Sequence, residues 1–362
     1  MKSPRHIERL QNTLVLSCSV LLVLVVGELV ARIWLPAPLP WLYPQLRYRP
    51  DPTLVFTLVP NQHAFSANTP VTINERGLRG PIVPYDPEAG EFRLLILGDS
   101  IVFGYGVPVE GIIGTRLKAL VDSGNHRTQV INTGVPSYNT EQEVEFLRTE
   151  GVRYSPNWVI VGFCWNDLSD KTGVRVDGNG MLVSEGAGEP NHLRRMMESE
   201  LGYQLRNALK ESRLLYALSI GTAILGGGDE QGKATSLRTQ ILSGETSSGA
   251  IEGWNRVENA LGRLADLSRV YHFKVLVAAF PTLSSIEESH PSSSYPSTLR
   301  LISARLGINF IDLQPAFRRN YRGRTSLFLP YDPDHPNSTG HRIAAEEVAR
   351  FLVQSSFESP TH

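Results

Sequence analysis

Cysteine is almost missing from this chain: Cys18 and Cys164 are the only two in 362 residues, one inside a long apolar run and one on an expected strand far downstream. A disulfide between them is not expected, and their scarcity fixes no redox compartment. Charge of one sign is missing too. A formal net charge of -1 offers neither a basic field for nucleic acid nor an acidic tail, so nucleic-acid binding is not expected. Tight metal-ligand spacings of the His-Glu-x-x-His kind are absent, which weighs against a metal held by Asp332, Asp334, His335 and His341. What remains is ordinary for a globular protein, with 41% hydrophobic and 20% charged residues, enough to bury a core.

One stretch departs from that average. Thr13 to Leu35 is nearly uninterrupted apolar sequence, about the 20 or so residues a helix needs to cross the hydrocarbon layer. It is too long for the apolar core of a cleaved signal peptide, and most of it follows Cys18, which weighs against a lipoprotein. Glu28 and Arg32 lie four apart on one helical face, near the end where a charged pair can reach the headgroups. The run reads as a signal anchor, with the lipid bilayer as partner of residues 13–35. Lys2, Arg5 and Arg9 precede it, whereas Arg47 and Arg49 follow at a distance. This modest positive-inside bias puts residues 1–12 in the cytoplasm and everything after Leu35 outside, in the periplasm.

Residues 36–90 carry many prolines and short extended pieces such as Thr57–Val59 and Val71–Ile73, as expected for a stalk or an apron of strands and turns. Asn74-Glu75-Arg76-Gly77-Leu78-Arg79-Gly80 is a polar turn with two glycines. From residue 92 a strand–helix rhythm sets in. Strands are expected at 92–98, 128–135, 158–163, 273–280 and 308–313, and helices at 112–121, 139–150, 251–272, 296–306 and 339–351. Such alternation implies right-handed crossovers and a parallel sheet covered on both faces, an α/β domain over 91–352 with a tail at 353–362. An insertion over roughly 168–250 interrupts it. Asp177–Gly180 reads as a hairpin turn, Leu193–Leu218 has helical spacing, and Gly226–Gly228 with the Ser/Gly-rich stretch to Gly249 reads as a flexible surface segment. An insert at this sheet edge suits a lid, part of a substrate cleft, or plain decoration.

The apolar run Phe92–Gly98 stops abruptly at Asp99-Ser100, which sets Ser100 just past a buried strand, where open α/β sheets place their ligands. A serine there is also an ordinary helix cap, so other strand ends decide. Tyr331–His341 supplies a base: prolines 333 and 336 keep His335 out of a helix, and Asn337 or Ser338 can cap the helix that follows. Asp332, three residues earlier, can accept the second imidazole N–H, fixing the tautomer and stabilising the imidazolium once His335 takes the serine proton. Asp334 also neighbours the histidine. Gly134 ends the second expected strand and exposes a backbone N–H; Asn166 follows the third and offers a side-chain NH2. With the Ser100 N–H they make three donors for a tetrahedral oxyanion.

Gly98-Asp99-Ser100, Gly134, Asn166-Asp167 and Asp332-x-x-His335, in that order over residues 92–352, resemble the SGNH (GDSL-like) hydrolase family. The Gly-x-Ser-x-Gly elbow of the other serine esterase fold is absent, since Val102 stands at its second glycine. The resemblance implies a flavodoxin-like three-layer sandwich with five parallel strands in the order 2-1-3-4-5. It implies Ser100 as nucleophile, His335 as base with Asp332 as its partner, and the Ser100 amide, Gly134 and Asn166 as oxyanion hole, with no metal and no cofactor. The anchor and the Asn74–Gly80 turn are similar to a membrane-anchored bacterial envelope subgroup. The expected function is a serine esterase cleaving O-acyl, foremost O-acetyl, esters of an acylated carbohydrate or other ester substrate. Acyl transfer to a sugar hydroxyl by the same residues, and a non-catalytic glycan-binding assembly subunit, stand as alternatives.

Overall fold

The structure is a computed structural model that describes residues 4–35, 42–122, 127–170, 173–186, 188–218, 238–242, 244, 247–287, 295–330 and 332–357. Two compact units emerge, Met1–Trp41 with Met196–Gly232, and Leu42–Arg195 with Lys233–His362. In the first, helix α1 (Pro4–Trp34) holds a 24-residue segment, Gln11–Trp34, whose most apolar 18-residue window has a mean hydropathy of 2.6. At 1.5 Å per residue it reaches about 36 Å, against about 30 Å of hydrocarbon, so by length and composition it can span a bilayer.

The second unit is built on a five-stranded parallel sheet: β1 (Phe92–Gly98), β2 (Thr128–Asn132), β3 (Trp158–Phe163), β4 (Lys274–Ala279) and β5 (Asn309–Asp312). The order is 2-1-3-4-5, with β2 and β5 at the edges. The switch in winding direction at β1 and β3 opens the crevice in which such folds act. The central strands are apolar on both faces because helices cover both. Leu95, Leu97, Val159 and Val161 face one core with Val144, Leu147, Val257 and Leu261; Leu94, Ile96 and Ile160 face the other with Leu117, Ile343 and Val348. Each such side chain contributes roughly 1.5–3 kcal/mol of transfer free energy.

Helices α2 (Ser100–Phe103), α3 (Ile113–Val121) and α4 (Thr140–Thr149) follow β1 and β2. The strand expected to run to Val135 ends at Asn132, where the Asn132 side chain turns to pair with neighbouring loops. The 36–90 stretch contributes, over its described part, two hairpins (Tyr48–Asp51 with Val55–Leu58; His63–Ser66 with Thr69–Thr72). Phe56, Leu58, Val71 and Ile73 are buried in the same core as Leu95 and Leu97. Asp177–Gly180 turns the hairpin Val174–Val176/Leu182–Ser184. Within the first unit the insertion forms helix α5 (Glu200–Glu211). Gly226–Gly228 lies outside the described residues. The last helix, α6 (Ser338–Phe357), runs past residue 352.

Candidate active site

Ser100 is the first residue of α2, and the cap is its neighbour. Asp99, fully buried, accepts the Ile101 N–H at 2.8 Å through Oδ1, so the serine hydroxyl is not spent on capping; Ser100 Oγ also lies 3.1 Å from Asp99 Oδ2. The helix can sit against the sheet only because two paired strand positions, Gly98 on β1 and Gly162 on β3, carry no side chain. A Cβ at either would come within 2.2 or 2.4 Å of Val102 Cγ2. The glycines seat Val102, and Val102 seats the serine.

Across the rim, the segment expected as a loop is a short strand, β6 (Asp332–Pro336), paired antiparallel with Phe328–Leu329. The prolines keep it from a helix, and an edge strand tolerates them. Asn337 caps α6 by accepting from Thr339 N and Gly340 N at 2.8 and 3.1 Å. His335 Nε2 lies 2.8 Å from Ser100 Oγ, and His335 Nδ1 lies 2.7 Å from Asp332 Oδ2. An ionised carboxylate only accepts, so Nδ1 carries the proton and Nε2 presents its lone pair to the serine hydroxyl. Burial pulls the imidazole pKa down, but the hydrogen bond and charge of Asp332, with Asp99 and Asp334 behind it, more than offset this and hold it above its ordinary 6.5. For Asp332 burial pushes up, and the His335 hydrogen bond and charge carry the net shift below the usual carboxylate range.

The second aspartate is occupied elsewhere. Asp334 takes a bidentate pair of bonds from Arg238 at 3.0 and 2.7 Å, and the same guanidinium sits 5.7 Å from the Trp165 ring centre. His341 is buried, accepts the Ile113 N–H through Nδ1, and is held neutral by burial and by the charge of Arg79, its pKa pushed down to about 3. The four residues a metal would need are thus directed to three different tasks.

The expected oxyanion donors divide. No backbone contact engages the Ser100 N–H among the described residues. Asn166 Nδ2 donates one proton to Asp99 Oδ2 at 2.6 Å, leaving its second, and its Oδ1 is buried without a partner. The Gly134 N–H is bound to Asn132 Oδ1 at 2.9 Å. What the structure asks of Gly134 is space: a Cβ there would meet Phe103 N at 2.3 Å and Val102 C at 2.8 Å. Asn132 completes that contact by donating to Val102 O at 2.8 Å. Gly134→Ala keeps the amide but drives a methyl into α2. It is expected to cost at least about 1–3 kcal/mol by overpacking, read as a lower denaturant midpoint, and an unchanged midpoint would show that the loop yields freely.

Sequence reasoning missed the braces. Arg79, in the Asn74–Gly80 turn, is buried and donates to the carbonyls of Phe103 and Gly104, both at 2.8 Å, and of Val107 at 2.7 Å. It therefore pins the loop that leaves the nucleophile helix. Burial lowers its pKa to about 10, partly countered by Glu110, so it stays charged at neutral pH. Asn74 holds the turn by accepting from Arg76 N and Leu78 N at 2.9 and 3.1 Å. The glycine spacing marked a turn but could not say which carbonyls its arginine would reach. Arg79→Met keeps the stem, strands the buried carbonyls of Phe103 and Val107 at about 1–3 kcal/mol each, and leaves Gly104 O with the Val107 N–H. The expected outcome is a stability loss of at least about 2 kcal/mol in urea unfolding, together with slower turnover. Tyr105, its ring centre 4.9 Å from that of His335, is a further side chain at the site that its sequence neighbourhood did not announce.

A family model for GDSL-like lipases and acylhydrolases matches residues 96–343. No curated protein matches the chain. Among solved structures, a Bacteroides fragilis protein described as an acylhydrolase is similar at 14% identity, covering 74% of this chain and 90% of its own, with a TM-score of 0.38. A two-domain esterase active on acetylated mannans is 13% identical over 76% of this chain and 52% of its own, TM-score 0.44. An acetyl xylan esterase is 13% identical over 72% of this chain and all of its own, TM-score 0.43. Likeness at this level assigns no substrate. The family match runs from within β1 into α6 and spans more than half of the sequence, so this chain belongs to the GDSL-like lipase/acylhydrolase family of serine ester hydrolases.

Proposed function

We propose that Ser100 is the nucleophile, His335 its general base and Asp332 the partner that orients the base. The observation that carries this reading is the unbroken chain Asp332 Oδ2–His335–Ser100 Oγ, with steps of 2.7 and 2.8 Å. A serine hydroxyl is too weak an acid to attack unaided. His335 Nε2 takes its proton as Oγ bonds to the ester carbonyl carbon, and the carbonyl π pair moves onto oxygen. The Ser100 amide and the second Asn166 Nδ2 proton stabilise that oxyanion at roughly 3 kcal/mol per donor. Gly134 contributes only if its amide exchanges Asn132 Oδ1 for the substrate. Collapse of the intermediate breaks the bond to the alkoxy group, which leaves with the proton from His335. Water then enters by the same route and releases the acid.

The substrate we propose is an O-acyl ester, O-acetyl before longer chains, on a carbohydrate of the cell envelope. Tyr105, partly exposed and with its ring centre 4.9 Å from that of His335, offers beside the reacting groups an aromatic face on which a sugar ring can stack; Trp165, also partly exposed, directly precedes Asn166. The same reading keeps residues 1–12 in the cytoplasm, 13–35 as a single-pass anchor, 36–90 as an apron, and the hydrolase domain over 91–352 outside, in the periplasm. A fluorophosphonate probe should label the full-length protein once, at Ser100, and mass spectrometry of the labelled peptide reads this. Labelling at another serine sinks the assignment. Acetate release from an O-acetylated polysaccharide should outpace hydrolysis of a long-chain nitrophenyl ester, and the reverse order would overturn the substrate reading.

A further inference from the structure

The insertion meets α1 at the only two charged side chains of its apolar run. Glu28 Oε2 accepts from Ser212 Oγ at 2.7 Å and Leu214 N at 3.1 Å; Glu28 Oε1 accepts from Arg213 N at 3.1 Å and Arg32 Nε at 2.8 Å. One carboxylate thus caps the first two amides of the helical stretch 213–218, while the third, Leu215 N, donates to Ser212 Oγ at 3.2 Å. Arg213 Nη1 returns the contact by donating to Arg32 O and Leu35 O, both at 2.6 Å, and so closes the C-terminal end of α1. Arg32 Nη2 adds a bond to Glu211 O at 3.2 Å. At Gly27 the Leu214 side chain packs against the bare backbone, 3.1 Å from where a Cβ would be. Charges near a bilayer survive when they are paired and fully bonded, as these are.

The insertion's own surface points the same way. On α5, Leu201, Leu205 and Leu209 follow at i, i+4 and i+8 and are 57%, 47% and 55% exposed. Glu200, Arg206, Asn207, Lys210 and Glu211 occupy the other side, with the buried Tyr203. Leu215 and Leu218 continue the apolar surface on the next helical stretch, 45% and 57% exposed. A leucine stripe with a charged, polar opposite side is the pattern of a helix that lies in a membrane interface. It is joined by hydrogen bonds to the end of a helix able to cross that membrane.

We propose that residues 200–218 form a second membrane contact, an interfacial helix whose leucine face enters the lipid surface beside the point where α1 emerges. The occupant is lipid, since Ala208 and Leu215 border the exposed Leu24, Val25 and Leu29 of α1, a helix able to cross the bilayer. This goes beyond the esterase reading and does not depend on it. Two contacts would hold residues 200–218 close to the bilayer surface.

Cysteines introduced at 205 or 200, in full-length protein carrying Cys18→Ser and keeping only the buried Cys164, would be labelled with an environment-sensitive dye and reconstituted into phosphatidylcholine–phosphatidylglycerol vesicles. The dye at Leu205→Cys should shift to the blue and be quenched by lipids with nitroxides at a shallow chain position, as for a face buried about 5–10 Å into the interface. The dye at Glu200→Cys, an exposed position on the polar side of α5, should remain water-exposed and unquenched. Equal, aqueous emission at both sites overturns the proposal. A blue shift at 205 without lipid quenching, growing with protein density, would assign the stripe to a second copy and overturn it too. Thermal melts of the labelled proteins confirm that each is folded, and fluorophosphonate labelling of Ser100 reports the catalytic reading separately.

Discussion

Ser100→Ala should abolish ester hydrolysis by the full-length protein, with a fall in kcat on the order of 10^6-fold, as when the nucleophile of a triad is removed. The residue is half-buried at the mouth of the crevice, and alanine removes only an oxygen from the first turn of α2, so the fold should be unaffected. Residual turnover above the uncatalysed rate would come from oxyanion donors and binding alone, roughly 10^3- to 10^4-fold. The measurement is steady-state hydrolysis of an acetyl ester, with the melting temperature taken alongside. Wild-type turnover in the variant would mean that another residue attacks, and the hydrogen-bond chain to Asp332 would then be structural.

Asp332→Asn is the second large effect. It keeps the shape of the pair but gives His335 Nδ1 a partner that can also donate, so the tautomer with a lone pair on Nε2 loses its advantage. A roughly 10^4-fold loss in kcat is expected. The pH profile should change with it. In the wild type the imidazole pKa lies above 6.5, and the working base is neutral histidine, so the rate rises with pH through that raised value. Without the Asp332 charge the burial of His335 dominates, and the acid limb should move to lower pH. Asp334→Asn is the internal comparison: it frees Arg238 but leaves the His335–Asp332 bond, so its loss should be far smaller. Equal losses in the two variants would show that the pair of aspartates acts as a unit. Stability follows the same linkage. The contribution of the raised His335 is complete below 6.5 and fades as pH rises through its folded value. That of the depressed Asp332 is complete above its ordinary value and fades as pH falls.

The sheet was legible because its signals are local. Runs such as Leu94–Leu97 and Trp158–Phe163 are apolar at every position, which only a strand covered on both faces requires, and the intervening helices declared themselves by their period. Strand order followed from the resemblance that four short motifs carried. Element ends were less visible. Asn132 stops β2 by turning its side chain to Gly134 and Val102, and Asp332–Pro336 pairs as a strand because Phe328–Leu329 offers an edge. Neither partner can be known from the segment itself.

By itself, the sequence determined that Ser100 ends a buried strand, that a histidine with an aspartate three residues before it lies near the end of the chain, and that one helix is apolar enough to cross a membrane. These follow from residue type and spacing within a few turns of chain. Only the tertiary structure decided which neighbour each group meets. It joined Asp334 to Arg238, 96 positions away, and left Asp332 for the histidine. It bound the Gly134 N–H to Asn132 Oδ1 and set the glycine where a side chain would meet the backbone of α2. It brought Arg79 under the loop after Ser100, and Ser212 and Arg213 to Glu28. Hydrogen bonds are satisfied wherever the fold delivers a partner within about 3 Å. That distance depends on how the packed layers settle, and no local pattern encodes it.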